Sequence, residues 1–349
     1  MPTLKIATFN TEWMINLYKK GKAEFWEGKS GSKGIGRKPK DVPMVCQRLA
    51  GVITDIKSDI IFIQEGPPQK AQMQLFADEY LNADYDVYSM PHGTQSNHAL
   101  VRKGLPLQIS QVPKTHAIYR HLNKKLEYFT WGEVKKKRLE NFTRDPVVLK
   151  VQHDGGVVEI MGFHTKSKIS KLKKKEQYTN ADRPAMVDAL RSRQKLSAEM
   201  AAVRRYLTHA ILSQRVDGAI LVGDLNDGPH RDVFEEQFLI HSIVDELRGA
   251  FHREVALMHH ALPQDQLIGK SGFTAEFSDP TQDGKIVKVL LDHVMVSPKV
   301  RSGGAPLRLR KNSGKIEHAA FEAHVEGDGS QAHHRPSDHR PVSAIFNYS

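Results

Sequence analysis

The chain has 349 residues, 39% of them hydrophobic and 26% charged, which describes a globular protein with enough length for one large core. No apolar stretch approaches membrane-spanning length, the first residues lack a basic-then-apolar leader pattern, and the single Cys46 excludes an internal disulfide and a thiolate-rich metal site. These features predict a cytoplasmic protein with no membrane insertion, one domain over residues 1–349, and no obligate protein partner. The net charge of +11 is unevenly spread: Lys114 to Lys175 holds 16 Lys/Arg against 6 Asp/Glu, or +10. Such clustering favours a polyanionic partner, nucleic acid first, an anionic membrane surface second, against a merely solubilising surface.

In chain order, Leu4–Asn10 reads as a first strand with Asn10 at its carboxyl end and Glu12 just beyond. Residues 19–40 are Lys- and Gly-rich and predict a mobile basic loop. Asp41 with Pro43 marks a helix start, and Val45, Leu49, Val52, Ile53 and Ile56 carry helical spacing. Ile60–Glu65 is an apolar strand ending in an acid, stopped by Gly66-Pro67-Pro68. A helix over Gln69–Tyr80 and strands at Tyr85–Met90 and His98–Arg102 follow. Lys114–Glu140 is basic, with Tyr119, Tyr128, Phe129 and Trp131 interleaved. Strands are predicted at Val147–Val151 and Val157–His164, and a lysine-rich loop at Lys166–Lys175.

Asp182-Arg183-Pro184 fits an N-cap with an early proline, opening a helix to about Ser213. Ile220–Asp224 is a buried strand that delivers Asp224 and Asn226, two residues apart and so on one face, before Gly228-Pro229 turns the chain. A short helix at Val233–Leu239, a strand over Val287–Val296 containing Asp292-His293, and a last strand at Pro341–Phe346 complete the pattern. Early alternation of strands and helices with later strands close together predicts an α/β layered sandwich with mixed sheets.

Five strand ends thus carry Asn10, Glu65, His164, Asp224 with Asn226, and Asp338 with His339. A lone Asp after Gly is ordinary turn chemistry, and a lone His is ordinarily structural. Five such ends built only from Asn, Asp, Glu and His are not explained that way. A calcium loop starting at Asp224 fails, because its fifth and sixth positions would be Gly228 and Pro229. His318, His324, His333, His334 and His339 lack zinc-site spacing.

Phe9-Asn10, Gln64-Glu65, Gly162-Phe163-His164, Gly223-Asp224-Leu225-Asn226, Leu291-Asp292-His293 and Ser337-Asp338-His339-Arg340-Pro341-Val342 resemble, in order and across nearly the whole chain, the motifs of the endonuclease/exonuclease/phosphatase superfamily. The resemblance implies a four-layer α/β/β/α sandwich of two mixed sheets flanked by helices (DNase I-like), with a Mg²⁺-dependent cleft in which Mn²⁺ can substitute. It further implies that Asn10, Glu65 and Asp338 hold the metal, with Glu65 the principal ligand. By the same resemblance His164, Asn226 and Arg144 contact the phosphate, Asp224 orients or activates water, and Asp292 pairs with His339. His293 receives no catalytic role. The basic inserts near 19–40 and 166–182 match no feature of the family pattern.

The activity expected is phosphodiester hydrolysis by an endonuclease on DNA. The alternative is a phosphatase or phosphodiesterase of the same fold acting on inositol phosphates or sphingomyelin-type lipids. The lysines at 135–137 and 173–175, with Arg138 and Trp131, are the residues expected to track a nucleic-acid backbone.

Overall fold

The computed structural model describes residues 1–130, 137–229, 232–238 and 242–348. Its first strands are β1 (Thr3–Asn10), β2 (Ile60–Gly66), β3 (Tyr85–Met90), β4 (Ser96–Arg102) and β5 (Gln108–Gln111). A short hairpin, β6 (Leu126–Phe129) and β7 (Lys137–Glu140), precedes β8 (Val147–His153), β9 (Gly156–His164) and β10 (Gly218–Asp224). The last third carries β11 (His259–His260), β12 (Ala275–Asp279), β13 (Lys285–Val289), β14 (Asp292–Val296), β15 (Arg308–Leu309), β16 (Lys315–Ile316) and β17 (Val342–Asn347). The helices that matter here are α1 (Val42–Ile56), α2 (Lys70–Tyr80), α3 (Ala117–Leu122), α4 (Lys175–Thr179), α5 (Arg183–Leu212) and α6 (Val233–Gln237).

Among the described residues, one large sheet runs β15-β17-β1-β2-β4-β3, with β16 also on β17, and the other runs β11-β14-β10-β9-β8-β5. Each sheet has one parallel pair at its centre, β1 with β2 and β9 with β10, flanked by antiparallel partners. The period of two in β1 and β2 sorts side chains between layers. Leu4, Ile6, Ile60 and Phe62 join the core shared with the second sheet, whereas Ala7, Phe9, Ile61 and Ile63 pack against α1 and α2. On the far side, Leu196, Met200, Val203 and Leu207 of α5 close the core over the second sheet. The layers are therefore α/β/β/α, and the carboxyl ends of both parallel pairs lie on one edge, where open α/β sheets place their ligands.

The helix starts follow the expected chemistry. The Asp41 carboxylate accepts from Met44 N at 2.9 Å and Asp182 accepts from Ala185 N at 3.4 Å, each with proline in the first turn. Residues 19–40 are tethered and not loose: Asn16 Nδ2 donates to the carbonyls of Ile35 and Arg37, and Ser30 Oγ donates to Asn16 O. The strand expected over Val287–Val296 is two strands, because the chain leaves the β12–β13 hairpin at Leu290-Leu291 and only then joins β10 as β14. The basic stretch Lys114–Glu140 contains α3 and the β6–β7 hairpin. Tyr119 there is a core residue donating to Pro146 O, while Phe129 is exposed. The lysine-rich run at 166–175 ends in α4. Trp131, Lys135, Lys136 and Leu239 lie outside the described residues.

His98 of β4 is fully buried beside β2, with Nε2 2.8 Å from the Pro67 carbonyl, which requires the proton on Nε2, and Nδ1 2.7 Å from Ser89 Oγ. Burial pushes its pKa down to about 4 despite the Pro67 carbonyl. The folded protein thus binds this proton less readily than the unfolded chain. Its contribution is complete above the ordinary value of 6.5 and is lost as pH falls from 6.5 toward 4. We expect this residue to remove about 3 kcal/mol of stability across that window. Urea midpoints at pH 7.5 and pH 5 check it, with His98→Gln showing a smaller drop than the wild type.

Candidate active site

The backbone at the shared edge of the sheets is bent to present side chains. β2 carries a register irregularity between Ile63 and Gly66, and Glu65 within it has φ +55, so the bulge re-aims the carboxylate into the cleft. Asn226, Glu12 and Trp13 also occupy the left-handed region, at φ +53, +49 and +56. Each such residue costs about 1–2 kcal/mol, and such strain clusters at functional sites. Gly223, immediately before Asp224, has φ +136, and a Cβ there would lie 2.0 Å from the Phe163 carbonyl oxygen. Gly223→Ala is expected to destabilise the protein by about 3 kcal/mol or more, since backbone must move on both counts. A urea midpoint measures the loss.

A cleft of about 910 Å³ receives Glu65, Arg144, His164, Asp224, Asn226, Asp338 and His339. Asp224 is fully buried and held from both sheets: Asn10 Nδ2 donates to its Oδ2 at 2.9 Å, and Asn226 N donates to its Oδ1 at 2.8 Å. Asn10 Oδ1 accepts from Glu12 N at 3.0 Å, and Asn226 Nδ2 donates to Thr165 O at 3.1 Å. Across the cleft, His339 Nδ1 lies 2.7 Å from Asp292 Oδ2 and its Nε2 lies 4.0 Å from Asp224 Oδ2. His164 Nε2 stands 3.7 Å from Asp224 Oδ2 and 3.9 Å from Glu65 Oε1.

The two imidazoles are driven in opposite directions. Burial opposes charge on His339, but Asp292 and Asp224 outweigh it and hold its pKa well above the ordinary value. Burial, with Arg144 and His339 nearby, holds His164 well below it. Asp224 is pushed up to about 6, mainly by burial and further by Asp292, against the pull of His339. Glu65 is pushed up to about 7 by burial and by Asp338, against His339 and the N–H of Trp13, which donates to Glu65 Oε2 at 2.8 Å. The site therefore contains a neutral imidazole, an imidazolium and two acids whose charge the protein itself compensates poorly. Paired groups pushed apart in this way are a mark of acid–base work.

Two sets of groups could hold a cation. Asp224, Asp292 and His339 offer ligand atoms within 4.8 Å of one another. His339 already spends Nδ1 on Asp292 and carries a proton, so this trio fits a relay better than a cage. Glu65 and Asp338 are hard oxygen donors, and Asp338 adds to the cost of ionising Glu65, which a divalent ion would relieve.

Several supporting residues had no clear sequence signal. Glu199 of α5 accepts from Thr143 N at 2.7 Å and Lys166 N at 2.9 Å, which fixes the segments bearing Arg144 and following His164. Its only hint was an acid on the helix face that also carries Leu196, Met200 and Val203. Arg144 Nη2 donates to Gln95 Oε1 and Nη1 to Thr165 O. Thr274 Oγ1 accepts from Asp292 N at 3.1 Å, Thr274 O accepts from Arg340 N, and Ser337 Oγ donates to Asn10 O at 2.6 Å, locking Asp292 and His339 to β1. His293 points away from the cleft: Nε2 donates to Asp227 O at 2.7 Å and Nδ1 accepts from His260. Lys168, in the run expected to be a loop, is taken up by Asp227 at 2.5 Å and by Glu235. Burial opposes its charge, but these acids and Asp232 raise its pKa.

No protein-family model matches the sequence and no curated protein matches it. Among solved structures, TDP2 from Caenorhabditis elegans superposes at a TM-score of 0.51 with 13% identity, over 99% of this chain and 74% of that one. A truncated form of the same protein gives 0.50 with 14% identity, over 99% and 98%. An endonuclease/exonuclease/phosphatase from Bacteroides vulgatus gives 0.49 with 13% identity over all of both chains. With two central parallel pairs, four layers and the cleft at the strand ends, the chain has the α/β/β/α fold of these TDP2 structures.

Proposed function

We propose that the whole chain forms one catalytic domain, a Mg²⁺-dependent phosphodiesterase acting as a nuclease on DNA. The observation that carries this reading is the convergence of His164 Nε2 and His339 Nε2, 3.7 and 4.0 Å away, on one buried carboxylate, Asp224. Phosphodiester hydrolysis needs an in-line water, a base to orient it, and donors where charge builds on phosphorus. Asp224 supplies the base: Asn10 and the Asn226 N–H fix its rotamer, and its raised pKa brings it toward the neutral range where a base works best. His339, held by Asp292, donates from Nε2 as a cation to a phosphoryl oxygen. His164 is a neutral donor to the same phosphate, and Asn226 and Arg144 orient it. Glu65 and Asp338, with Asn10 beside them, would hold the divalent ion. When bound, that ion polarises a phosphoryl oxygen and offsets developing negative charge.

The test incubates the purified protein with plasmid, single-stranded DNA, RNA and inositol phosphates, with Mg²⁺ or EDTA. Mg²⁺-dependent cutting of DNA that weakens as salt rises from about 50 to 200 mM is the expected result. Release of phosphate from the inositol compounds alone would replace the nuclease reading with the phosphatase one.

A further inference from the structure

The cleft that receives Asp224 and His339 also lies between two walls that touch each other at several points. One wall is the segment 168–175, whose Leu172 packs with Ala185, Ala189 and Phe234 in a small core separate from the two main ones. The opposite wall is the β12–β13 hairpin. At the top these walls meet, where Lys175 Nζ donates to Asp283 Oδ2 at 2.6 Å. At the floor, Gly228 lies so close to the hairpin's exit that a Cβ on it would be 2.3 Å from the Leu290 carbonyl oxygen. The circuit then closes through the Asp227–Lys168 ion pair. Lys168, Lys175, Asp283, Leu290, Gly228 and Asp227 all face the same cleft as Asp224 and His339.

The circuit is uneven in strength. Lys168 and Asp227 are nearly inaccessible, with side chains 18% and 0% exposed, whereas Lys175 and Asp283 are 44% and 66% exposed. An exposed pair is weak and screened by salt, so the ring can part there without disturbing buried charge. The lining also has a definite chemistry. Ile169 and Phe277 are apolar yet substantially exposed, and Lys173 and Lys174 line the same cleft. Apolar faces beside cations suit unstacked bases on a phosphate backbone. The whole cleft, about 910 Å³, is of the size that encloses a small ligand or a few nucleotides and not a duplex.

We propose that this ring is a threading channel latched by Lys175 and Asp283, through which an unpaired polynucleotide enters by its end and not from the side. The inference rests on the phosphodiesterase reading above and narrows it, replacing internal attack on a duplex with entry from a free strand end.

The test compares a linear single strand, a covalently closed circular single strand of the same sequence, and the small diester bis(4-nitrophenyl) phosphate. Three proteins are assayed: the wild type, Asp283→Ala, and Lys175→Cys with Asp283→Cys joined by a short bismaleimide. The lone native Cys46 is buried and stays out of the cross-link. The expected result is that the joined protein still cuts the linear strand and the small diester but cuts the circle at least about tenfold more slowly than the linear strand. Asp283→Ala should narrow that gap relative to the wild type. Equal rates on circle and linear strand by the joined protein overturn the channel. Hydrolysis of the small diester with neither strand cut overturns the channel together with the nucleic-acid substrate. No hydrolysis of any of the three overturns the phosphodiesterase reading and the channel with it.

Discussion

Replacing His339 with alanine is expected to lower the rate of phosphodiester hydrolysis by about 10²–10³-fold while the protein stays folded. His339 is 8% exposed and bound through Nδ1 to Asp292, a residue that is fully buried. The pair forms a charge fixed in place before substrate arrives, so no reorganisation is needed as the phosphorus gains negative charge. Asp292→Asn should reproduce part of the loss, since the amide still accepts from Nδ1 but no longer favours the imidazolium. Asp224→Ala should cost at least as much, because it removes the base and leaves Asn10 Nδ2 without its acceptor. Rates from single-turnover kinetics, with circular dichroism as the check on folding, decide the matter. A purified, folded Asp224→Ala protein with near wild-type rates would sink the mechanism.

Addition of Mg²⁺ is expected to stabilise the wild-type protein, and Glu65→Gln is expected to abolish that gain. Burial disfavours the charge on Glu65, and Asp338 nearby adds to that cost. Among the described residues, Glu65 Oε2 takes an N–H from Trp13, and its nearest ion-pair contact is His164 at 3.9 Å, an imidazole held neutral. A divalent ion bound there would relieve the repulsion and stabilise the fold by about 2.7 kcal/mol at a free concentration 100 times its Kd. Thermal melts with and without Mg²⁺ read this directly, independently of turnover. Glu65→Gln should itself melt no lower than the metal-free wild type, because it removes an acid from a repelling pair. An unchanged Mg²⁺ shift in that variant would move the metal away from Glu65. A shift lost instead in Asp292→Asn would place it in the Asp224, Asp292 and His339 trio.

The surplus of positive charge distributes differently from a uniform basic face. Lys168 is consumed by buried acids, and Lys166 is half-buried, its charge opposed by burial and by Lys195. Lys175 is spent on Asp283, and Lys137 on Glu127 at 2.8 Å. Within 166–175, Lys171, Lys173 and Lys174 are exposed, and the last two line the cleft. Any salt dependence of DNA cutting is therefore expected to trace to few lysines near the cleft, not to the whole basic stretch.

What the sequence determined by itself is the set of strand ends and the fold they belong to. A run such as Ile60–Ile63 or Ile220–Val222 can only be a buried strand, and the Gly and Pro that follow must turn it. The residue at the tip is then exposed to whatever gathers there, which is why Glu65, His164, Asp224 and Asn226 were legible. The helix caps at Asp41 and Asp182 were legible for the same reason, being contacts three residues long. Tertiary structure alone decided matters that depend on distant partners. The left-handed bulge at Glu65 exists because β4 pairs on both sides of it. Glu199 becomes a support only when Thr143 and Lys166 are brought to it. The strand expected at 287–296 divides because Ala275–Asp279 claims its first half. Lys168, four residues from His164, finds its acids 59 and 67 positions away. The latch joins residues 108 apart. Local pattern encodes what a residue's near neighbours force on it. A charge far along the chain leaves no trace in that pattern until folding supplies the contact.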